Sequence, residues 1–280
     1  MTRRESFPTP EPIRLDLSVA AGEIAVDSGD LNETTVELVP LGGADSVAAV
    51  EEARVELRDG VLVVDVPERR GIRFLGRGPE VRLAVRCPLG CDLRVRAASA
   101  DLRASGRFSA ADVESASGDL SVGDVAGDMR VKSASGDIEV AAVGGMLTAD
   151  AASGDVEIER VDGNARIRTA SGDVKVGEAG ASIAVQTASG DQRIGSVAKG
   201  EVSLRSASGD LWVGVRRGSA VWVDASSMSG DTTSELDVGA APAPAGDAEA
   251  GPVVELRAQS MSGDIHVARA AASSASDLGR

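Results

Sequence analysis

The feature that most constrains the fold of this chain is a Ser-Gly-Asp motif that recurs at a nearly fixed interval. The Gly-Asp pairs are Gly118-Asp119, Gly136-Asp137, Gly154-Asp155, Gly172-Asp173, Gly190-Asp191, Gly209-Asp210, Gly230-Asp231 and Gly263-Asp264. The first five follow one another with one constant period, and the last three come at increasing intervals. A degenerate copy, Ser99-Ala100-Asp101, precedes the first full motif by one such period. A fixed period of about 18 residues indicates a repeat architecture.

Each repeat contains two short stretches with the alternating polarity of β-strands. The second and fourth residues after the glycine are apolar, as in Leu120 and Val122, with Gln192 as the exception. A second apolar pair follows a central turn, as in Ile183 and Val185. A repeat of this length is too short for a helical hairpin with its loops, and the Gly, Ser and β-branched content disfavours helix. The repeat therefore predicts two strands and two turns.

Two folds can use such a repeat: a parallel β-solenoid with one repeat per coil, or an antiparallel meander. In a solenoid, equivalent residues stack about 4.8 Å apart, so each corner meets only its own copy. This explains the identical chemistry at every corner, which a meander does not require. Apolar residues do not recur every six positions, which disfavours a left-handed hexapeptide helix. We therefore predict an all-β chain with a parallel β-solenoid, or β-helix-like, repeat of about 18 residues per coil.

The spacing of the motif also predicts the domain organisation. Residues 1–12 are expected to be a disordered lead, and 13–96 an N-terminal region of irregular β-strands that is continuous with the solenoid and caps it. Within it, Asp59-Gly60 lies between two apolar runs, a pattern typical of a hairpin with a type I′ turn. The solenoid spans 97–268, with a Pro/Ala/Gly loop at 239–252 that accounts for the longest interval between motifs. Residues 269–280 are expected to be a disordered tail.

Charge and composition exclude several classes of partner. The formal net charge is −15 and the sequence pI is about 4.6, which opposes binding to nucleic acids or anionic lipids. There is no Tyr, and only three Phe and two Trp are present, so base-stacking platforms are scarce. The charged start of the chain is not followed by an apolar segment, and no apolar run is long enough to span a membrane. These patterns predict a soluble cytoplasmic protein without membrane insertion.

The stacked aspartates of the corner admit two interpretations. Ser and Asp side chains can bind the amides of a turn, which is the structural role. A column of carboxylates could instead bind Ca²⁺, although the chain lacks the glycine density and the second oxygen ligand per turn of calcium-binding β-rolls. We predict no cofactor, with Ca²⁺ at the aspartate column as the alternative. Many equivalent acids also differ from the pair of carboxylates in unlike environments that glycosidases use, so no catalytic residue is predicted.

Three further features are candidates for contacts. A basic, glycine-rich segment carries Arg69, Arg70, Arg73 and Phe74, and is either an anion or partner contact or a mobile loop. Trp212 occupies an outward position and could stack on a sugar or a partner. Cys87 and Cys91 are too few for a structural zinc site and are expected to be free thiols at a strand turn, with a local disulfide or redox pair as the alternative.

The repeated units carry a resemblance to a known family. Ser-Ala-Ser-Gly-Asp at 115–119 and 133–137, with Thr-Ala-Ser-Gly-Asp at 169–173 and 187–191, resembles the bacterial "putative adhesin" family, domain of unknown function 4097. The resemblance covers about 13–268 and implies an all-β, β-helix-like domain. It brings no catalytic residues.

We therefore expect a non-enzymatic, adhesin-like binding or scaffold module whose partner is a protein or a carbohydrate. The alternative is a carbohydrate-active or metal-dependent β-helix enzyme.

Overall fold

The computed structural model describes residues 2–67, 78–236 and 253–270. Its strands in chain order are β1 (Arg3–Pro8), β2 (Arg14–Gly29), β3 (Glu33–Pro40), β4 (Arg54–Arg58), β5 (Val61–Asp65), β6 (Val81–Pro88), β7 (Asp92–Phe108), β8 (Ala110–Ser117), β9 (Leu120–Val125), β10 (Met129–Ser133), β11 (Ile138–Val143), β12 (Leu147–Ser153), β13 (Val156–Val161), β14 (Ala165–Ser171), β15 (Val174–Ala179), β16 (Ile183–Ser189), β17 (Gln192–Val197), β18 (Gly200–Ser208), β19 (Leu211–Val215), β20 (Ala220–Ser227), β21 (Thr232–Ser234), β22 (Val253–Ser262) and β23 (Ile265–Arg269). A single helix among the described residues, α1 (Ala44–Glu52), lies between β3 and β4.

The strands form two parallel sheets, and each layer of the solenoid contributes one strand to each sheet. Sheet 1 has the order β5, first half of β2, first half of β7, β8, β10, β12, β14, β16, β18, β22, β20. Sheet 2 has the order β6, second half of β2, second half of β7, β9, β11, β13, β15, β17, β19, β23, β21. Through the regular repeats, strand partners are one sequence period apart, as in Ala165 opposite Ile183. The solenoid prediction is confirmed, and the meander is excluded.

The inward residues of both sheets form a continuous aliphatic core. In a typical layer Val156, Ile158 and Val161 are buried, and their stacked neighbours above and below are buried as well. Each such side chain contributes about 1.5–3 kcal/mol by leaving water. Val, Leu and Ile suit the thin space between two sheets because their branched side chains pack well on a pleated surface. Phe108 is the largest of the fully buried side chains.

The corner glycines are required by both conformation and space. With the exception of Gly230 they have positive φ angles, from 104° at Gly154 to 138° at Gly263, a region that disfavours residues with a side chain. A Cβ atom on Gly172 would lie 2.1 Å from the carbonyl oxygen of Gly154 in the neighbouring layer. The absence of a side chain therefore allows the corners of adjacent layers to stack this closely.

The N-terminal region differs from the sequence-based expectation in two ways. Residues 3–8 form β1, which pairs with β3, so the prediction of a disordered lead over 1–12 is wrong. The solenoid also begins well before residue 97, because β2 already supplies a strand to both sheets and Gly22 occupies the corner opposite Ala100. The cap consists of β4 on the edge of sheet 1 and of β3 and β1 on the edge of sheet 2, all antiparallel. The turn at Asp59-Gly60 has φ angles of 50° and 74°, as the type I′ prediction requires.

The order of the layers does not follow the order of the chain at either end. The layer of β22 and β23 lies between that of β18 and β19 and that of β20 and β21, although it comes last in sequence. At the other end, β2 lies between β5 and β6 on one side and β7 on the other. The Gly263 layer, and not the Gly230 layer, therefore lies next to the Gly209 layer. The predicted loop at 239–252 and the predicted tail beyond Ala270 lie outside the described residues.

We predict that Gly172→Ala lowers the free energy of unfolding by about 2–4 kcal/mol, because the new methyl group meets a backbone oxygen at a positive φ angle. Chemical denaturation followed by circular dichroism measures the change. The matched control is Gly78→Ala, where φ is not positive and nothing lies within 4 Å of the added carbon. Equal stability of the two variants would contradict the close-approach explanation.

Candidate functional site

The aspartates of the corner bind the backbone of the next layer. The N–H of Asp155 donates to Oδ1 of Asp137 at 2.9 Å, and the N–H of Asp173 donates to Oδ1 of Asp155 at 2.8 Å. In return, the N–H of Val156 donates to the carbonyl oxygen of Asp173 at 2.9 Å. The side-chain bond recurs at 2.7–3.0 Å in the order Asp101, Asp119, Asp137, Asp155, Asp173, Asp191, Asp210, Asp264, Asp231. We call this series the aspartate ladder.

Buried hydroxyl groups complete the corner from the inside. Three residues before the glycine, the hydroxyl of Ser133 donates to the carbonyl of Ser135 at 3.0 Å, and Thr169 does the same to Ser171. Such bonds satisfy polar groups that would otherwise be costly to bury. The corner motif thus includes one buried hydroxyl group three residues before the glycine. The sequence pattern did not predict this role.

Gln192, at a position that is apolar in most other repeats, bonds to its neighbours through its amide nitrogen. Its side chain is fully buried, and Nε2 donates to Oγ1 of Thr187 and to the carbonyl of Arg205, both at 2.8 Å. Thr187 in turn contacts the hydroxyl of Ser206 at 3.1 Å. The residue therefore belongs to a polar cluster in the core of the solenoid.

The ladder gives the corner carboxylates a structural role. Each Oδ1 from Asp101 to Asp264 along the stack accepts a backbone amide, which leaves Oδ2 for solvent. In the described part of the chain, no three His, Cys, Asp or Glu side chains come together in a way that could hold a metal ion. Ca²⁺ prefers six to eight oxygen ligands, and a straight column of amide-bound carboxylates does not enclose such a set.

The indole of Trp212 is part of a stack along sheet 2. The guanidinium of Arg193, one layer away, lies 4.7 Å from the ring centroid. The ring of His266, in the layer on the opposite side, stacks on the indole at 6.3 Å with an interplanar angle of 17°. Because both ring faces are covered, the indole presents its edge outward. The predicted sugar or partner contact at Trp212 would therefore involve that edge and not a free ring face.

The basic, glycine-rich segment predicted as a contact lies outside the described residues; it carries Arg69, Arg70, Arg73 and Phe74.

Cys87 and Cys91 are free thiols buried at the turn between β6 and β7, as predicted. The Cys91 sulfur accepts a hydrogen bond from the Cys87 thiol and another from the N–H of Ile13 at 3.3 Å. These bonds lower the pKa of Cys91 to about 7 against the opposing effect of burial. Donation to Cys91, together with burial, raises the pKa of Cys87. The pair links the first strand of the solenoid to the turn that precedes β7.

The outer face of sheet 1 carries charged columns, with mostly opposite charges in adjacent layers. Lys132 pairs with Glu114 at 3.6 Å, and Arg94 with Asp112 at 3.8 Å. Further along the same columns, Arg130, Arg166 and Arg168 are exposed and make no ion pair within the described residues. Sequence reasoning missed these arginines because an alternating strand pattern gives the direction of a side chain but not its charged neighbours. Their positions, one or three residues before the inward hydroxyls of Ser133 and Thr169, were the available signal.

The far end of the solenoid exposes apolar side chains. In most layers an Ala stands two residues before the corner glycine, but the last two layers have Met228 and Met261, which are 83% and 59% exposed. Trp222 on β20 is 52% exposed, with the guanidinium of Arg257 at 5.9 Å from its ring. This end contrasts with the N-terminal end, which β1, β3 and β4 cover.

These features define an all-β, two-sheet parallel solenoid whose repeated corner is structural. A family model described as Toastrack DUF4097 matches residues 14–167 and 163–268, which is most of the chain. The chain belongs to this family, as the resemblance of its repeats implied. A comparison with curated protein sequences gave no match.

Several solved structures are similar to this chain. A "putative adhesin" from Bacteroides fragilis has 10% identity and a TM-score of 0.47, over 95% of this chain and 97% of that one. A "putative adhesin" from Parabacteroides distasonis has 12% identity and a TM-score of 0.42, over 95% and 97%. A "putative lipid binding protein" from Parabacteroides distasonis has 11% identity and a TM-score of 0.41, over 95% and 96%. None of these similarities identifies a ligand or an activity for this chain.

Among the described residues, no helix has the length and apolarity needed to cross a bilayer.

We predict that Asp155→Ala destabilises the chain by about 1–2 kcal/mol, because the N–H of Asp173 loses its acceptor. Asp155→Asn keeps an oxygen at the same position and is the matched control, so its stability should remain close to that of the wild type. Thermal and chemical unfolding measure both variants. Equal destabilisation by Ala and Asn would show that charge, and not the hydrogen bond, is the stabilising property.

We predict that Ca²⁺ does not stabilise the solenoid. With millimolar Ca²⁺ or with EDTA, the thermal midpoint should change by less than about 1 °C, since a cation that does not bind the native state cannot raise its stability. Differential scanning calorimetry provides the measurement. A rise in the midpoint with Ca²⁺ that EDTA reverses would assign the aspartate ladder as a cation site.

Proposed function

We propose that the chain is a non-enzymatic, adhesin-like binding or scaffold module that contacts its partner through the outer faces of the two sheets. The observation that carries this proposal is the aspartate ladder. The most repeated polar chemistry of the chain is engaged in holding one layer to the next. The side chains that remain available are those at the outward positions of the strands, which differ from layer to layer.

The alternative is a carbohydrate-active or metal-dependent β-helix enzyme. Glycoside hydrolysis uses two carboxylates in unlike environments, one to donate a proton and one to act as nucleophile or base. The corner carboxylates instead share one environment, because each binds the same amide of the neighbouring layer. This uniformity favours a structural role for them and a binding role for the faces.

The class of partner follows from the surface. A net charge of −15 opposes nucleic acids and anionic bilayers as general partners. Long sheet faces with regularly spaced side chains suit an extended partner that makes several weak contacts, since linked contacts raise the overall affinity. A protein segment or a polysaccharide chain fits this description.

The experiment is a combined test of retention and turnover. The purified full chain is immobilised and incubated with separate protein and polysaccharide fractions of a bacterial envelope. We expect a fraction to be retained and its polymers to have the same length afterwards, as measured by size-exclusion chromatography. Shortened polymers would support the enzyme, and a failure to retain any fraction would contradict the binding module.

A further inference from the structure

We propose that a groove on sheet 1, lined by Arg130, Arg166 and Arg168, binds an extended anionic polysaccharide along the stacking direction of the layers. This inference rests on the proposed binding function and names the class of partner for one face. We call this feature the arginine groove. It has a volume of about 660 Å³ and runs across the strands β10, β12, β14, β16 and β18.

The shape of the groove follows from the register of sheet 1. Arg166 lies between Thr148 in the layer on one side and Ala184 in the layer on the other. Both neighbours have short side chains, so the long arginine side chains stand beside open space. Thr148 also lies between Arg166 and Arg130, so the two arginines are two layers apart with a hydroxyl between them.

The positive charge in the groove is not neutralised from within the described part of the chain. Arg130, Arg166 and Arg168 make no ion pair, hydrogen bond or cation–π contact there, although the protein as a whole is strongly acidic. The groove also contains two acids: Asp150, which is in register with Arg168 without forming an ion pair, and Glu201, which is bound to Arg257 at 2.6 Å. Arg130 is also in register with Asp112, whose carboxylate lies 3.8 Å from Arg94. The three guanidinium groups therefore outnumber the neighbouring carboxylates that make no ion pair.

Unpaired guanidinium groups on an acidic protein favour a ligand that carries its own anions. Guanidinium presents donors in a rigid fork that matches carboxylate, sulfate or phosphate oxygens in pairs. An ion pair between an exposed arginine and an acid contributes little to stability. The stability of the fold therefore does not depend on whether these three arginines are paired. Their arrangement is thus available for recognition.

The spacing of the charges distinguishes between anionic polymers. Two layers correspond to about 9–10 Å, the separation of Arg130 and Arg166 along the stack. Duplex DNA carries a phosphate about every 3.4 Å of helix axis on each strand, which is much closer than the arginines. Single strands are bound with aromatic stacking, and no aromatic side chain lines the groove. Anions that recur at the wider interval, with uncharged groups between them, match the arginines better.

The side chains between the arginines are suited to sugar hydroxyls. Thr148 supplies a hydroxyl between Arg130 and Arg166, and Gln186 supplies an amide between Arg168 and Arg205. Hydroxyls and amides both donate and accept hydrogen bonds, as sugars do. A polysaccharide with an acidic group on some of its sugars would place anions at the arginines and hydroxyls at Thr148 and Gln186. We expect such a chain to lie perpendicular to the strands.

The test measures binding of two polymers, hyaluronate and chondroitin sulfate, to the full chain by isothermal titration calorimetry. Hyaluronate carries a carboxylate on every second sugar and chondroitin sulfate adds sulfates to the sugars between them, so the pair distinguishes the source of the anion. We expect binding to at least one polymer, weakened about tenfold or more in the double variant R166Q/R168Q, because two charge-assisted contacts are lost. Affinity should fall as salt is raised.

The matched control is R86Q/R103Q, which removes two exposed arginines of sheet 2 that also make no ion pair within the described residues. It should keep wild-type affinity, because it changes the net charge by the same amount away from the groove. Equal weakening in both variants would overturn the proposal, since net charge alone would then explain binding. Unfolding midpoints of all variants should match the wild type, because both substituted pairs point outward.

Further probes distinguish an anionic polysaccharide from a neutral one and from other sources of anionic groups. Neutral dextran, inorganic phosphate alone and vesicles containing phosphatidylglycerol should bind at least about tenfold more weakly than the preferred polymer. Binding to the vesicles or to dextran with equal affinity would overturn the assignment to an anionic polysaccharide. Wild-type affinity in R166Q/R168Q would overturn the groove but leave the proposed binding function intact, whereas failure to bind any envelope fraction would contradict that function itself.

Discussion

The structure depends on a hydrogen bond from a backbone amide in one layer to an aspartate carboxylate in the next. Within a sheet, the backbone N–H groups of parallel strands bind the carbonyl groups of the neighbouring strands. At the corner between the two sheets this ladder is interrupted, and backbone N–H groups would be left without acceptors. Asp155 and its equivalents supply the acceptor, and glycine lets the corner come close enough for the bond to form. Each bond contributes about 0.5–1.5 kcal/mol. Repeated from layer to layer, it fixes the register of both sheets.

This use of the corner separates structure from recognition in the chain. Residues that point inward or lie at the corner are nearly constant from layer to layer, since each must match an equivalent neighbour. Outward residues have no such restriction, and they change from the ion pair of Lys132 and Glu114 to the unpaired Arg166 and then to the ring stack at Trp212. Fold and function therefore occupy different positions of the same repeat.

Much of the fold could be predicted from the sequence because the stacking interaction is local and repeats. The Ser-Gly-Asp spacing predicted the parallel solenoid, the two strands per repeat and the structural role of the aspartates. The order of the layers was harder to predict. The Gly209 layer presents the Asp210 carboxylate to whichever layer stacks on it, and every layer with the motif has an amide that can bind it. The Gly263 layer therefore stacks there, although the Gly230 layer comes first in the sequence. The strand β1 was missed because it is short, charged and flanked by prolines, and its pairing with β3 is a tertiary contact. The helix α1 was missed because its nine residues carry only a weak amphipathic pattern.

The candidate site was less predictable than the fold. Trp212 stood out by composition, yet both faces of its ring are covered by residues from adjacent layers. The arginines of sheet 1 did not stand out, because their significance depends on which side chains lie above and below them. The alternation of apolar and polar residues shows which side chains of a strand point outward. It does not show which charged side chains lie next to them, because those belong to equivalent positions in the neighbouring layers.

The displaced layers at both ends have a consequence for how the chain acquires its shape during synthesis. A solenoid built in simple order could lengthen coil by coil as it leaves the ribosome, each new turn resting on the last. Here β20 and β21 emerge before the strands on which they rest, because β22 and β23 follow them in the chain. The outermost coil can therefore pack only after β22 and β23 have been synthesised, and those two strands enter a position enclosed on two sides. Both β2 and β23 lie inside the stack, so neither can separate without disturbing a neighbour on each side.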